Sequence, residues 1–251
     1  MSGNDTARLR PEDIIEALGL LTRLPVEADG TRGAKAAWAW PLAGAIAAFV
    51  TGLAAWLALW AGLGAMLTAA LALALMIMLT GAMHEDGLAD CADGFWGGQE
   101  RESRLAIMRD SRIGTYGVIA LVLSLLARWS ALAMLFSSGH VLGPLVAAAA
   151  LSRVPVAAVA GWVRPARRDG LSAGTGQPDN DTVIMAALVG MILGLTFAGF
   201  AAIGAALAAA AAGWAMARLA IAKIGGQSGD VLGATQQLAE IAALAVLTAS
   251  V

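Results

Sequence analysis

Seven stretches of this chain are long and apolar enough to cross a lipid bilayer, and they limit its fold more than any other feature. A helix that spans the hydrocarbon core needs about 20 mostly apolar residues. Because lipid offers no partner for backbone N–H and C=O groups, each span must be helical. We therefore predict an all-α, polytopic membrane bundle with spans at 41–61, 64–83, 115–136, 141–162, 182–200, 203–222 and 232–250.

The composition agrees with this fold class. Hydrophobic residues make up 59% of the 251 residues and charged residues only 14%, against roughly 45–50% and 25% in soluble domains. We predict one membrane-embedded domain over 1–251, with a cytoplasmic segment at 1–40 and the bundle at 41–250. The short amphipathic stretch 11–24 predicts an interfacial helix on the lipid surface. The net charge of −2 gives no indication of nucleic-acid binding.

Lysine and arginine lie mainly on one side of the predicted bundle. The connections on the other side, near 62–63, 137–140 and 201–202, contain neither residue type. By the positive-inside rule the rich side is cytoplasmic. We therefore expect a multi-pass protein of the bacterial inner membrane whose polar motifs face the cytoplasm. The segments on that side are 1–40, 84–114, 163–181 and 223–231.

The densest polar motif, HEDGLADCADGFWGG at 84–98, directly follows the second apolar run. If that helix continues past Met83, then Asp86, Asp90 and Asp93 share an arc of about 60°. Carboxylates so close repel one another at a low-dielectric boundary, and a divalent cation relieves the repulsion. Oxygen ligands favour Mg²⁺, which also binds substrate phosphates. We predict this metal site over the alternative, an acidic helix end stabilised by water and arginines.

The next segment, 101–117, is rich in arginine and would present these side chains on one broad face if it were a single helix. Its arginines are Arg101, Arg104, Arg109 and Arg112. Arginine is well shaped to hold phosphate oxygens in pairs. This face is therefore a candidate substrate-binding site, with Asp110 orienting an arginine or binding metal. The alternative is an interfacial helix whose arginines reach to lipid headgroups.

Further charges fall inside the spans and in a loop. Arg153 lies in the fourth span, where a charge without a partner or a polar cavity costs at least about 2.5 kcal/mol, and we predict that it faces the site. For Arg128 in the third span the sequence favours neither a site role nor a structural one. The loop 163–181 contains Arg167 and Arg168. It forms either a lid that binds phosphate or a plain connector.

A glycine-rich turn, KIGGQSGD at 223–230, precedes the last span. Such a turn at a helix start can hold an anion, which makes Gln227 a candidate substrate ligand and Asp230 a candidate catalytic residue. Asp230 has a simpler alternative role as a helix cap. The polar residues inside the last span should point into the bundle, because lipid does not solvate them. These are Gln236, Gln237 and Glu240.

Several motifs occur in one order along nearly the whole chain. They are LTRLPV (21–26), WPLAG (40–44), HEDGLADCADG (84–94), IMRDSRIGTYG (107–117), SR (152–153), RRDGL (167–171) and GGQSGDVLGA (225–234). Together they closely resemble the cobalamin synthase family, the adenosylcobinamide-GDP ribazoletransferases. The resemblance implies an inner-membrane enzyme of late cobalamin synthesis. Such enzymes join adenosylcobinamide-GDP to α-ribazole, or its 5′-phosphate, with Mg²⁺, and release GMP.

The residue patterns fit that reaction. Mg²⁺ on the three aspartates of 84–98 would bridge the donor's diphosphate, and the arginines of 101–117, with Arg153, would hold its other oxygens. A ribazole hydroxyl would attack the phosphate on the corrinoid arm, and Asp93 or Asp230 would accept its proton. The family often has Glu where this chain has Gln237, so we assign no catalytic role to that turn.

Two other functions are weaker matches. CDP-alcohol phosphotransferases also use an Asp-rich helix with Mg²⁺, but their pattern continues with an Ala-Arg pair where this chain reads FWGG after Gly94. Ion-coupled transporters place acidic residues near the bilayer midplane in repeated halves, and no internal repeat is visible. A homo-oligomer, or a complex with other enzymes of the pathway, is left open.

Overall fold

The computed structural model describes residues 9–167 and 174–251, which form ten α-helices and one 3₁₀-helix. The short elements are α1 (Glu12–Leu21), the 3₁₀-helix (Gly33–Ala39) and α5 (Arg101–Ile107). The longer ones are α2 (Trp40–Trp60), α3 (Ala65–Thr80), α4 (Met83–Gly97), α6 (Thr115–Ser137), α7 (Leu142–Trp162), α8 (Asn180–Ala198), α9 (Ala201–Ile224) and α10 (Gly229–Thr248). Arg168, a candidate phosphate ligand from the sequence, lies outside the described residues.

Six of the described helices, α2 and α6 to α10, are individually long and apolar enough to cross a membrane. A seventh span exists if α3 and α4 are taken as one broken crossing. The predicted all-α, polytopic bundle is therefore confirmed. The six helices begin and end within a few residues of the predicted spans.

The second predicted span is not one continuous helix. α3 ends at Thr80, and both Gly81 (φ 65°) and Ala82 (φ 57°) adopt the left-handed conformation. A new helix, α4, starts at Met83 with its axis bent by 88° from that of α3. The condition set by the sequence, that this helix continues past Met83, is not met, because two left-handed residues interrupt the right-handed helix. The orientation of the acidic side chains of α4 therefore depends on the helices that α4 packs against, and not on the direction of α3.

Glycines let the helices approach closely around α7. A Cβ added to Gly213 of α9 would lie 2.4 Å from the Pro155 ring of α7. A Cβ added to Gly190 of α8 would lie 2.4 Å from a methyl group of Val154, on the same helix. Small residues of this kind are the usual basis of close helix packing in membranes. Most of α7 is buried as a result, and it forms the centre of the bundle.

α1 is held to the bundle by an ion pair that is enclosed by protein. The Asp13 side chain has no exposed surface and accepts hydrogen bonds from Arg32 Nε (2.6 Å) and Trp38 Nε1 (2.8 Å). Burial would raise the pKa of Asp13, but these bonds and one from the Arg10 backbone N–H outweigh it, so the pKa lies below its ordinary value. The predicted helix within 11–24 is confirmed. Contacts with the rest of the protein hold it in place.

The arginine-rich segment 101–117 does not form one helix, which was the condition for a shared arginine face. α5 ends at Ile107, and α6 begins only after Gly114. Between them the Asp110 carboxylate accepts a hydrogen bond from the backbone N–H of Arg112 (3.0 Å). A local bond of this type competes with helix formation. The arginines before and after the turn therefore do not share one face.

Candidate functional site

α4 and α10 cross with their backbones in contact, and this crossing positions the candidate active site. A Cβ added to Gly87 of α4 would lie 2.6 Å from the carbonyl oxygen of Asp230 on α10. A Cβ added to Gly233, one turn along α10, would lie 3.2 Å from the Cα of His84. The two glycines thus allow a close approach that larger residues would prevent. The acidic residues of the two helices are brought together as a result.

A cavity of about 250 Å³ opens beside this crossing. Among the described residues its polar side chains are His84, Asp86, Arg167, Thr175 and Asp230, and its other walls are mostly apolar. A few polar groups on an otherwise apolar concave surface are typical of a small-molecule site. The apolar walls come from five parts of the chain and include Leu21, Trp40, Met83, Val156, Ala160 and Leu232.

Asp230 is paired with Arg167 at the polar end of the cavity. Arg167 Nη2 donates to Asp230 Oδ2 at 3.2 Å, and the Ser228 hydroxyl donates to the same oxygen at 3.1 Å. Ser228 is also the N-cap of α10, since its Oγ accepts from the backbone N–H of Val231 (3.4 Å). The simpler role considered for Asp230, that of helix cap, is therefore filled by Ser228. Asp230 is directed to the cavity instead.

The glycine-rich turn before α10 holds the loop that carries Arg167. The backbone N–H of Gln227 donates to the carbonyl of Arg164 (2.9 Å), and the N–H of Ala166 donates to the carbonyl of Gln227 (2.7 Å). The Gln227 side chain is buried at 1% exposure and is not among the residues that line the cavity. The structure therefore gives Gln227 a part in positioning Arg167, where the sequence suggested a substrate ligand.

Asp90 lies one helical turn after Asp86 and is half-buried among other carboxylates. The charges of Asp86, Asp230 and Asp93 all act on it, and the charge of Arg167 opposes them. In the part of the chain that the structure describes, no three His, Cys, Asp or Glu side chains are grouped closely enough to coordinate one metal ion by themselves. A metal bound here would need ligands from substrate or water.

Asp93, predicted as the third metal ligand, has a different set of partners. Its Oδ2 accepts from the backbone N–H of Gly114 (2.7 Å), and its Oδ1 accepts from that of Gly117 (2.8 Å). Both donors lie at the start of α6, where N–H groups have no partner within the helix. The predicted triad does not converge on one point, because both oxygens of Asp93 stabilise the positive end of α6.

Arg101 and Arg104 join α5 to the end of α9. Arg101 Nε donates to the carbonyl of Ile224 (2.9 Å), and Arg104 Nη1 donates to that of Lys223 (2.9 Å). Carbonyl groups in the last turn of a helix lack partners within it, and arginine side chains satisfy them here. These two arginines therefore have a structural role, where the sequence suggested phosphate binding.

The three remaining candidates of that segment lie away from the cavity. Arg112 Nη2 and Asp110 Oδ2 form an exposed ion pair at 2.6 Å, and hydrogen bonds from Arg112 lower the pKa of Asp110 to about 2. Arg109 is exposed on the same turn. The cavity walls formed by described residues include none of Arg109, Asp110 and Arg112. The structure does not bring them to the site.

A second polar cluster lies inside the bundle on another side of α4. Arg128 Nη1 is 2.9 Å from Glu85 Oε1 and 3.9 Å from Glu240 Oε1. The Gln237 amide donates to the same Glu85 oxygen (3.2 Å), and the Gln236 amide donates to Glu240. The prediction that the polar residues of the last span point inward is confirmed. Arg128, for which the sequence favoured no role, belongs to a buried ion pair.

Arg153, predicted to face the site, is adjacent to this second cluster. It is 2% exposed, and its Nη1 donates to the carbonyl of Ala149 on its own helix (2.7 Å). Its side chain fits against Gly44 of α2, where an added Cβ would lie 2.5 Å from Arg153 Cδ. The charges of Glu240 and Glu85 act on it. These carboxylates offset only part of the cost of its burial, and it does not line the cavity.

Two cavity residues were not identified from the sequence. Trp40 is the first residue of α2, and His84 is the second residue of α4. Helical spacing places His84 on a different face of its helix from Asp86 and Asp90, so the acidic pattern gives no indication of a site role for it. The available signal was their position inside the motifs WPLAG and HEDGLADCADG. The cavity shows why both motifs matter, since distant parts of the chain supply its walls.

Comparison with known proteins matches nearly the whole chain. A family model described as cobalamin-5-phosphate synthase covers residues 13–248. An adenosylcobinamide-GDP ribazoletransferase from Bradyrhizobium diazoefficiens is 46% identical over 255 residues, which cover 98% of this chain and 97% of the relative. Relatives of the same name from Mesorhizobium japonicum and Azorhizobium caulinodans are 43% and 46% identical, over 94% and 92% of this chain and 92% and 93% of their own. No solved structure matches this chain.

Proposed function

Because this chain belongs to the cobalamin-5-phosphate synthase family, we propose that it is a membrane-bound adenosylcobinamide-GDP ribazoletransferase. Relatives with that name align with it over almost their full length. The reaction joins adenosylcobinamide-GDP to α-ribazole, or its 5′-phosphate, and releases GMP in late cobalamin synthesis. The family match favours this function over a CDP-alcohol phosphotransferase or an ion-coupled transporter.

The observation that carries the proposal in structural terms is that Asp86, Asp230 and Arg167 line one cavity. Asp90 lies one helical turn from Asp86. Asp86, Asp90 and Asp230 supply hard oxygen ligands, and Arg167 opposes only part of their negative charge. Mg²⁺ commonly uses one or two protein carboxylates and completes its shell with water and phosphate oxygens. The donor set therefore fits Mg²⁺, and we assign Asp86 and Asp90 as its ligands. When bound, the ion supplies Lewis-acid stabilisation of charge on the diphosphate oxygens.

The residues at the polar end of the cavity have separate parts in group transfer. A ribazole hydroxyl oxygen attacks the phosphorus of the phosphate on the corrinoid arm, and a new O–P bond forms. The bond from that phosphorus to the oxygen of GMP breaks, and GMP leaves with the bonding electrons. Arg167 holds phosphate oxygens during this exchange. Asp230, which lines the cavity beside Arg167, accepts the hydroxyl proton.

The site is proposed to face the cytoplasm of a bacterial inner membrane. The turns between α2 and α3, between α6 and α7, and between α8 and α9 contain no Lys or Arg. The connections at the other helix ends carry Arg23, Arg109 and Arg164, among others. This asymmetry is the one that the positive-inside rule associates with cytoplasmic loops.

The function is tested with membranes that contain this chain and lack other enzymes of the pathway. Adenosylcobinamide-GDP and α-ribazole are added with Mg²⁺ or with a chelator, and GMP and the corrinoid product are quantified. We expect equal amounts of both products with Mg²⁺ and neither with the chelator. A CDP-activated alcohol in place of the donor should give no product. Absence of GMP release from correctly inserted protein, or a preference for the CDP donor, would contradict the proposal.

A further inference from the structure

The cavity beside the α4–α10 crossing has two chemically distinct parts. Arg167 and Asp230 are in contact at one part, and the charge of Asp86, which also lines the cavity, acts on Asp230 there. The apolar walls all belong to a single packed cluster, so they form a continuous surface. Its cavity-lining members include Leu21, Trp40, Met83, Val156, Ala160 and Leu232. A ligand that fills this cavity has one apolar end and one end that bears hydroxyl or phosphate groups.

Two nitrogen-containing rings stand in or next to the apolar wall. The Trp40 indole is 3% exposed, and its Nε1–H has no hydrogen-bond acceptor among the described residues. His84 also lines the cavity, and its side chain is otherwise enclosed by protein at 4% exposure. Buried polar groups in folded proteins nearly always have partners. These two rings thus point to a ligand that has a ring nitrogen within an otherwise apolar body.

The substrates of the proposed reaction carry groups of very different size and polarity. The corrin macrocycle is far larger than a cavity of about 250 Å³. Guanine has polar atoms on almost every edge, and each would need a partner that an apolar wall does not offer. The dimethylbenzimidazole of α-ribazole has a methylated carbocycle and a single ring nitrogen able to accept a hydrogen bond. Of these groups, it matches the wall.

We propose that this cavity is the acceptor subsite, with the dimethylbenzimidazole of α-ribazole packed against Trp40, Val156 and Ala160. This inference rests on the proposed function and deepens it by assigning one substrate to one cavity. Trp40 Nε1–H or the His84 ring binds the nitrogen of the base. The attached ribose extends to Asp86, Arg167 and Asp230, where its hydroxyl meets the phosphate that it attacks. Adenosylcobinamide-GDP is then bound outside the apolar part.

The first test compares two equivalent substitutions on α7. Ala160→Val adds two methyl groups to the cavity wall, whereas Ala158→Val adds them to a separate apolar groove on another side of the same helix. We expect Ala160→Val to raise the KM for α-ribazole about tenfold or more. The KM for adenosylcobinamide-GDP should change less than about twofold. Ala158→Val should leave both constants at the wild-type value.

A second substitution keeps the test decisive if Ala160→Val is poorly folded. Trp40→Phe preserves an aromatic ring and removes the N–H group, so we expect a higher KM for α-ribazole and no change for the donor. Equilibrium dialysis of labelled α-ribazole against each folded variant gives a readout that does not need turnover. The inference is overturned if the donor KM rises instead, or if neither variant weakens α-ribazole binding. An inactive wild type would instead contradict the proposed function, so the two failures are distinguishable.

The choice of base gives an independent check. A purine riboside places an exocyclic amine or carbonyl where dimethylbenzimidazole has methyl groups, and the apolar wall would leave it without a partner. We expect the wild type to use a purine α-riboside with a kcat/KM at least about tenfold lower than that for α-ribazole. Equal use of the two bases would contradict an apolar acceptor subsite.

Discussion

Asp93 and Gly117 fit so closely that a Cβ added to the glycine would lie 2.4 Å from a carboxylate oxygen of Asp93. This contact fixes the start of α6 against α4.

Asp93→Ala removes the acceptor of two backbone N–H groups and should cost about 1–3 kcal/mol of stability. We expect a lower midpoint of thermal unfolding in detergent, with activity lost in proportion to folded protein. Asp110→Ala, which removes an exposed partner on the same connection, should leave the midpoint unchanged. Unaltered stability in Asp93→Ala would contradict this structural role and favour Asp93 as a metal ligand.

Gly87→Ala should separate α4 from α10. The added Cβ would lie 2.9 Å from the Cα of Asp230. Because a backbone atom cannot rotate away as a side chain can, the two helices must move apart. A shift of about 1 Å at a catalytic site can reduce the rate by about 100-fold, so we expect kcat to fall at least tenfold.

Gly97→Ala is the matched control, because its Cβ would meet only a methyl group of Ile107 at 3.5 Å. This variant should retain wild-type activity, and the Gly→Ala change in a helix should slightly increase stability. The interpretation fails if the two variants lose activity equally in a GMP-release assay.

Asp86→Asn and Asp90→Asn should abolish Mg²⁺-dependent GMP release without unfolding the protein. Both remove negative charge from a group of mutually repelling carboxylates, so thermal stability without Mg²⁺ should be equal to or above that of the wild type. We expect kcat to fall by about 100-fold or more and the Mg²⁺ concentration for half-maximal rate to rise. Wild-type turnover in both variants would contradict their assignment as ligands.

The buried pair of Arg128 and Glu85 predicts a strongly non-additive response. Arg128→Met leaves Glu85 without its main cationic partner inside the bundle, which typically costs about 3–5 kcal/mol. Combining it with Glu85→Gln removes the unpaired charge of Glu85 and should recover most of that loss. A double-mutant cycle on thermal unfolding measures the coupling. Additive effects of the two substitutions would show that the pair is not coupled.

Asp13 makes the docking of α1 dependent on pH. Its pKa in the folded protein lies below the ordinary value of 3.8, so folding favours the ionised form. Its contribution to stability is present above that ordinary value and is lost as the pH falls through the lowered pKa. Asp13→Asn should therefore be less stable than the wild type at pH 7, with the difference shrinking below about pH 4. Thermal unfolding across pH 3 to 7 measures it, and a pH-independent difference would contradict the argument.

The long helices were accessible from the sequence because apolar length alone defines a span in lipid. The break between α3 and α4 could not be predicted from the sequence, since it depends on the left-handed backbone of Ala82. Nothing in an alanine signals that conformation, which non-glycine residues adopt only when their surroundings require it. The helical spacing of Asp86 and Asp90 was also correctly inferred from the motif.

The partners of the acidic residues required tertiary structure. Asp93 contacts backbone groups 21 and 24 residues ahead, so its side-chain type suggested a metal ligand while its contacts show a structural role. Asp230 reaches α4 from the other end of the chain, and only the packing of Gly87 reveals the approach. Periodicity identifies a face of a helix, but it does not specify which neighbouring element covers that face.

The Glu85–Arg128–Glu240 cluster also affects how the protein is assembled during synthesis. Arg128 and Glu85 enter the bilayer while more than a hundred residues remain to be translated, and Glu240 arrives with the final helix. Until then the cluster lacks one of its two carboxylates and the amide groups of α10. Polar groups without partners are costly in lipid. A chain that ends before α10 therefore keeps charged groups inside the membrane without their full set of partners. The last helix thus completes the charge balance of the membrane interior as well as the proposed active site.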